Sequence, residues 1–300
     1  MSRDSDHLPA RLWWLLGALC LAWGFNWTAM KLALAQVPPW TFRAICLGFG
    51  SAVLFLALRL GGQRPGWPAG QWRRLWLLAL LNITAWNILI AFGLRTIDSG
   101  RASILAYTMP IIAIPLSMWL LHERLTRARG LGLALGMLGM ALLVGEGFTG
   151  IGASPLGSAL VLGAAASWAL GSVLQKKYPV ALSPGLYTAW IMLLGGMPIF
   201  AGAALFEDWR WVRTVEAPAL LGTAYNVLVA FAFAYWAWIR LATSVTVSVF
   251  SLSMLAIPVV GVFSGIVFLG ERPGWTEYAA LALVLGSLAS VLSPARAAPG

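Results

Sequence analysis

The sequence predicts an all-α integral membrane protein of ten transmembrane helices, built as two inverted five-helix repeats with both termini cytoplasmic. Three observations predict it. The 300 residues are 60% hydrophobic and only 10% charged, whereas soluble domains carry about a quarter charged residues. The apolar residues fall into runs of bilayer-spanning length. The second half also repeats landmarks of the first at a nearly constant offset.

A bilayer core about 30 Å thick takes roughly 20 helical residues at about 1.5 Å each. Runs of this kind place spans at Leu12–Ala35, Trp40–Leu60, Arg74–Thr96, Ala102–Leu121 and Gly130–Gly145. After a Gly-rich stretch from Glu146 to Pro155 come Leu156–Gln175, Leu186–Phe206, Pro218–Ile239, Val245–Leu269 and Trp275–Leu292. The fifth is the shortest, and the polar Thr243–Ser248 blurs the eighth and ninth. Short connections leave no room for a sizeable soluble domain. Arg3 and Arg11 ahead of an apolar run imitate a signal peptide, but the run is too long for one, so an uncleaved first span is expected. Cys20 and Cys46 lie in apolar stretches, which makes a disulfide framework unexpected.

Twenty Lys and Arg against ten Asp and Glu give a formal charge of +10. In a soluble chain that excess would suggest nucleic acid; here it reads as topology. With the N-terminus inside, the inner segments hold thirteen cations, among them Arg59, Arg64, Arg73, Arg74, Lys176 and Lys177. The outer segments hold six: Lys31, Arg95, Arg101, Arg210, Arg213 and Arg272. The positive-inside rule therefore puts both termini in the cytoplasm. The expected partners are the lipid bilayer and a small-molecule substrate, with no nucleic acid.

Trp23 stands eight residues before Lys31, and Trp168 eight before Lys176. Arg95 and Arg240 close the third span of each half. Pro110 and Pro258 each stand thirteen residues before a Glu-Arg pair, Glu123-Arg124 and Glu271-Arg272. The offset is 145 and then 148 residues. Repeats over 1–148 and 149–300 follow. Five spans per half is an odd number, so the second half enters the membrane from the opposite side. Inverted halves of this kind build secondary transporters with a site near the midplane.

Ala22-Trp23-Gly24 with Lys31, Arg43 in the second span, and Pro110…Glu123-Arg124-Leu125 with its counterpart Pro258…Gly270-Glu271-Arg272 resemble the drug/metabolite transporter superfamily, EamA type. Similarity covers essentially the whole chain. His122 departs from the Gly usual before that Glu. Within the superfamily the chain resembles the YddG-type exporters of aromatic and other amino acids. The resemblance implies ten helices in two inverted halves, a bacterial inner-membrane location and export of small metabolites. It also implies a central site between spans 1–4 and 6–9, with spans 5 and 10 peripheral.

Enzyme motifs are missing from the sequence. There is no G-x-x-x-x-G-K-[ST] loop for ATP hydrolysis, and His7 and His122 with no nearby Cys/His cluster leave a zinc site unexpected. No cofactor and no catalytic residue is expected. All ten acids lie in termini, connections or span edges, so no midplane carboxylate is placed to relay protons. Facilitated diffusion, or ion binding by neutral oxygens, fits better.

Most of the seventeen tryptophans sit near span ends, as an interfacial belt requires, Trp40 and Trp238 among them. Trp23, Trp27, Trp86 and Trp168 lie deeper. Polar groups accompany them at helical spacing: Asn26, Asn82, Asn87 and Ser172, with Tyr107 ahead of Pro110 and the pair Tyr225-Asn226 in span eight. Inter-helix hydrogen bonds account for these amides, and so does a cavity with aromatic walls. The cavity reading makes Trp168, Tyr107 and Trp86 its walls, with amides for the ends of an amino acid and ring faces for an ammonium.

Arg43 lies about one turn inside span two. It either draws a substrate carboxylate or locks a gate, or it snorkels to the interface. Lys31 reads as an interfacial anchor. Pro110, Pro115 and Pro258 free backbone carbonyls within spans four and nine, as hinges or as static kinks. Gly132-x-x-x-Gly136 and Ala282-x-x-x-Gly286 suit close packing, within one chain or in a homodimer. The function expected is alternating-access export of aromatic or neutral amino acids or similar amphipathic metabolites. The alternatives are a drug or nucleotide-sugar carrier of the same superfamily, and a membrane-embedded enzyme or sensor.

Overall fold

A computed structural model describes residues 10–63, 66, 70–122, 127–149, 154–242 and 256–292. Helices account for nearly all of them: α1 (Ala10–Leu34), α2 (Pro39–Leu60), α3 (Trp72–Leu94), α4 (Ser99–Leu121), α5 (Arg127–Thr149), α6 (Pro155–Lys177), α7 (Pro184–Phe206), α8 (217–242), α9 (Ala256–Leu269) and α10 (Trp275–Leu292). Six of the described helices are long and apolar enough to cross a membrane: α2, α3, α4, α6, α7 and most of α8. Gly130–Leu143 within α5 and α9 are shorter apolar helices. The protein is a multi-pass membrane protein. Its outward-facing Trp14, Trp119, Leu205 and Val267 are exposed apolar groups that lipid, not water, suits as solvent.

Helix starts follow local chemistry. Pro occupies one of the first two positions of α2, α6, α7 and α8, where its missing N–H costs nothing and its φ is already helical. Ser154 Oγ accepts from Gly157 N at 3.0 Å and caps α6. At the far end of α4, His122 takes a left-handed φ of 56°, while Gly270 has φ 67° after α9. The residue in place of the expected Gly thus adopts the conformation that Gly adopts in the other half.

The helix of the fifth span runs on into the Gly-rich stretch, since α5 stays helical through Thr149. Pro110 stands beside a discontinuity within span four. α4 already breaks at the Tyr107–Thr108 turn, and Pro110 opens the second piece, Met109–Leu121, near its N-terminus. The fifth and sixth residues of the landmark pattern, Glu123 and Arg124, lie outside the described residues, as does the Thr243–Ser248 run.

Packing follows a symmetric pattern. α1 lies on α8 and α9, and α6 lies on α3 and α4. α2 pairs with α7, α4 with α9 and α5 with α10. Exchanging α1–α5 for α6–α10 maps each of these contacts onto another in the set. Small residues permit the close approaches, since lipid offers no hydrophobic drive between helices. A Cβ at Gly24 would stand 2.4 Å from Val260 of α9. Ser287 Oγ of α10 donates to Gly132 O of α5 at 2.6 Å, and Gly286 faces Leu135. Both small-residue motifs are used within the chain.

Candidate functional site

Between the two halves lies a cavity of about 700 Å³. Its walls come from α1, α2, α3, α4, α6, α7 and α8 and from the α6–α7 connection; neither α5, α10 nor the described part of α9 contributes. Two π-helical segments, Leu80–Ala85 in α3 and Asn226–Phe233 in α8, pass beside it. They stand at matching positions of the two halves. Wider turns of this kind re-aim side chains and recur at functional sites.

Eight of the ten expected binding residues line this cavity: Trp168, Tyr107, Trp86, Asn26, Asn82, Asn87, Trp27 and Ser172. Arg43 lines it too. Trp86 and Trp168 meet with ring centroids 5.0 Å apart at 59°. Tyr107 stands at the break in α4, where the turn takes it out of the helical register. Asn87 donates to Ile83 O at 2.8 Å, and Ser172 to Trp168 O at 2.8 Å, so both satisfy backbone carbonyls of their own helices. The Oδ1 atoms of Asn26 and Asn82 have no hydrogen-bond partner. Asn82 is held against Gly171, where a Cβ would collide with its Oδ1 at 1.4 Å.

The remaining expected residues lie elsewhere. Tyr225 OH donates to Ala22 O at 2.9 Å and ties α8 to α1. Asn226 is fully buried, its amide on Gly222 O at 3.0 Å. Neither Pro110 nor Pro258 lines the cavity. Trp238, assigned above to the interfacial belt, lines the cavity instead, with Tyr235 one turn before it. Tyr187, Thr188, Gln175, Trp23 and Phe231 also line it and were not expected there. Trp23 donates its Nε1 proton to Ala230 O at 3.2 Å, in the α8 π segment, and meets Tyr235 edge-on at 5.9 Å.

The two ends of the cavity differ in their surroundings. One end reaches the exposed α6–α7 connection at Val180 and Leu182. The other end, where α2 and α4 begin, is closed by polar ties. Glu207, just after α7, accepts from Trp40 N at 3.0 Å and Thr41 N at 2.6 Å. Glu271, just after α9, accepts from Ser99 N at 2.7 Å and Gly100 N at 3.1 Å. Each carboxylate caps the start of a helix in the other half and meets its positive dipole end. Lys31 is no lipid anchor: its Nζ donates to Leu94 O at 2.8 Å and Ile97 O at 2.5 Å, closing the C-terminus of α3 against α1.

The cavity thus lies between two halves whose helix contacts are exchanged by symmetry. The chain belongs to the EamA-like transporter family, whose model matches it twice, over residues 10–145 and 155–293. It is 26% identical to a Bacillus subtilis protein described as uncharacterized transporter YoaV, over 85% of this chain and 87% of that one. Proteins described as probable amino-acid metabolite efflux pumps are similar as well. The Salmonella typhimurium one is 26% identical over 89% of this chain and 90% of its own length. The Escherichia coli one is 27% identical over the same shares. A solved crystal structure superposes with a TM-score of 0.66 at 21% identity, covering 95% of this chain and 97% of that one. That last likeness concerns fold alone.

Proposed function

We propose that this transporter exports aromatic or neutral amino acids, or similar small amphipathic metabolites, by alternating access. One observation carries the reading: a 700 Å³ cavity between the halves with aromatic walls, unpartnered amide oxygens and a single closed end. The names of the efflux-pump relatives favour the same cargo. Ten spans in two inverted repeats, 1–148 and 149–300, fit both the doubled family match and the symmetric packing. With both termini cytoplasmic, the α6–α7 connection that follows Lys176 and Lys177 at the end of α6 faces inward, and the cavity is open to the cytoplasm. A bacterial inner membrane suits that orientation and the bacterial relatives.

Movement follows the substrate's gradient. Among the described residues, no Asp or Glu lines the cavity, so none of them offers a carboxylate as a proton relay. Reversal of access requires the Glu207 and Glu271 ties to release while the opposite end closes. The chain acts as a carrier and not as an enzyme. The test is purified protein in liposomes, loaded with a labelled aromatic amino acid. Saturable efflux of chemically unchanged label, competed by unlabelled amino acids better than by nucleotide sugars or cationic drugs, supports the reading. Efflux equal to protein-free liposomes for every solute, or a converted product, overturns it.

A further inference from the structure

We infer that Arg43 is the receptor for a carboxylate on the transported molecule, so that the cargo is a small monocarboxylate with an apolar or aromatic body, held carboxylate first at the closed end. The inference rests on the carrier reading above and specifies its cargo.

Arg43 is 2% exposed and is the one charged residue among the described residues of the cavity lining. It lies four residues into α2, about 6 Å along the axis from the closed end. No carboxylate of a described residue pairs with it. Its contacts are a hydrogen bond from Nη2 to Met30 Sδ at 2.9 Å and the ring of Phe42, 5.1 Å from its guanidinium carbon. Nε has no hydrogen-bond partner. A thioether is a weak acceptor, and a buried cation without an anion is costly. Guanidinium geometry matches a carboxylate through paired N–H donors.

The rest of the lining fits the rest of such a molecule. One cation and no lining acid suit a single negative charge. A nucleoside diphosphate would need several cations, and a purely cationic amphiphile would meet Arg43 with like charge. Asn26 and Asn82 line the cavity, and their buried Oδ1 acceptors have no hydrogen-bond partner. They suit an ammonium or another donor, and Trp86 and Trp168 offer an aromatic surface for the body.

A matched ligand set tests this with the purified full-length protein: phenylalanine, 3-phenylpropanoate, phenethylamine and sodium chloride. Binding is read by thermal shift in detergent and exchange by efflux from liposomes. The expected result is binding and exchange of both carboxylates, with phenethylamine and chloride weaker by about tenfold or more. In Arg43→Gln, affinity for the carboxylates falls about 10- to 100-fold, with Arg43→Lys between the two. The ligand-free Tm of Arg43→Gln is unchanged or higher, because a buried charge without an acid partner has been removed. Any of these results overturns the inference: equal binding of phenethylamine and phenylalanine, equal protection by chloride, undiminished carboxylate affinity in Arg43→Gln, or a ligand-free Tm that collapses in both variants. Exchange of phenethylamine without the carboxylates sinks the inference and leaves the carrier reading standing; efflux of no solute sinks both.

Discussion

Glu207 Oε2 accepts the Thr41 amide proton at 2.6 Å, so the residue that ends α7 caps the start of α2, the helix that carries Arg43. Glu271 holds Ser99 at the start of α4 in the same manner, at 2.7 Å. These carboxylates sit at the closed end of the cavity and join opposite halves. Neither lines the cavity, so under the proposed alternating access they bear on access and not on cargo chemistry.

Glu207→Ala and Glu271→Ala each remove a cap from a helix start, which costs about 0.5–2 kcal/mol. That energy is lost from the conformation closed at this end. A thiol introduced at Ile90, in the cavity lining, is expected to react faster with a membrane-impermeant reagent added outside in either variant than in the parent. The native Cys20 and Cys46 are both buried, which keeps the background low. Equal labelling rates would show that the ties do not hold the end shut.

Trp168→Ala opens one wall of the cavity by removing the partner of Trp86 at 5.0 Å. Amino-acid affinity measured by competition in liposomes should fall about tenfold, equivalent to about 1.4 kcal/mol. Folded protein yield should stay close to the parent, because Trp168 is only half-buried. Unchanged affinity removes Trp168 from the site.

His122 holds φ 56° where Gly270 holds φ 67°. A left-handed backbone costs a side-chain-bearing residue about 1–2 kcal/mol, and Gly nothing comparable. His122→Gly should raise Tm or leave it unchanged, while the β-branched His122→Val should lower it. Differential scanning fluorimetry in detergent checks both signs.

Gly24 and Gly17 are both on α1 but meet different surroundings. A Cβ at Gly24 strikes Val260 at 2.4 Å, whereas one at Gly17 finds nothing within 4 Å. Gly24→Val should sharply reduce monodisperse protein by forcing α1 off α9. Gly17→Ala should preserve it and gain a few tenths to about 1 kcal/mol from helix preference. Size-exclusion profiles of equal membrane loads separate the two.

Much of this was legible in the sequence, for identifiable reasons. Run length located α2 and α7 closely, because the bilayer sets the length. Depth within a span set Trp27, Trp86 and Trp168 apart in the sequence, since a Trp far from either interface needs another partner, and all three line one cavity. Direction around a helix was less legible. Trp238 sits near a span end as a belt residue does, and only the packing of α8 turns it inward. Asn226 and Tyr225 looked like cavity groups, yet they serve backbone carbonyls of α8 and α1, which residue type alone does not reveal. The π segments and the capping of α3 by Lys31 depend on tertiary contacts that sequence spacing does not encode.

No Asp or Glu is among the described residues that line the cavity, which also bears on energetics. At clamped voltage and fixed substrate gradient, an imposed pH gradient should leave initial efflux unchanged across the range in which the substrate's own charge is constant. A severalfold response would require a proton-carrying group that the lining lacks.

The central claim is that one cavity serves both sides of the membrane in turn. Counterflow in liposomes reconstituted with the purified protein tests it most directly, with a high internal concentration of unlabelled aromatic amino acid and a trace of labelled amino acid outside. The account predicts transient accumulation of label above its external concentration, followed by decay as the internal pool runs down. Uptake that only rises to equality with the outside, with no overshoot at any loading, would contradict alternating access through this cavity.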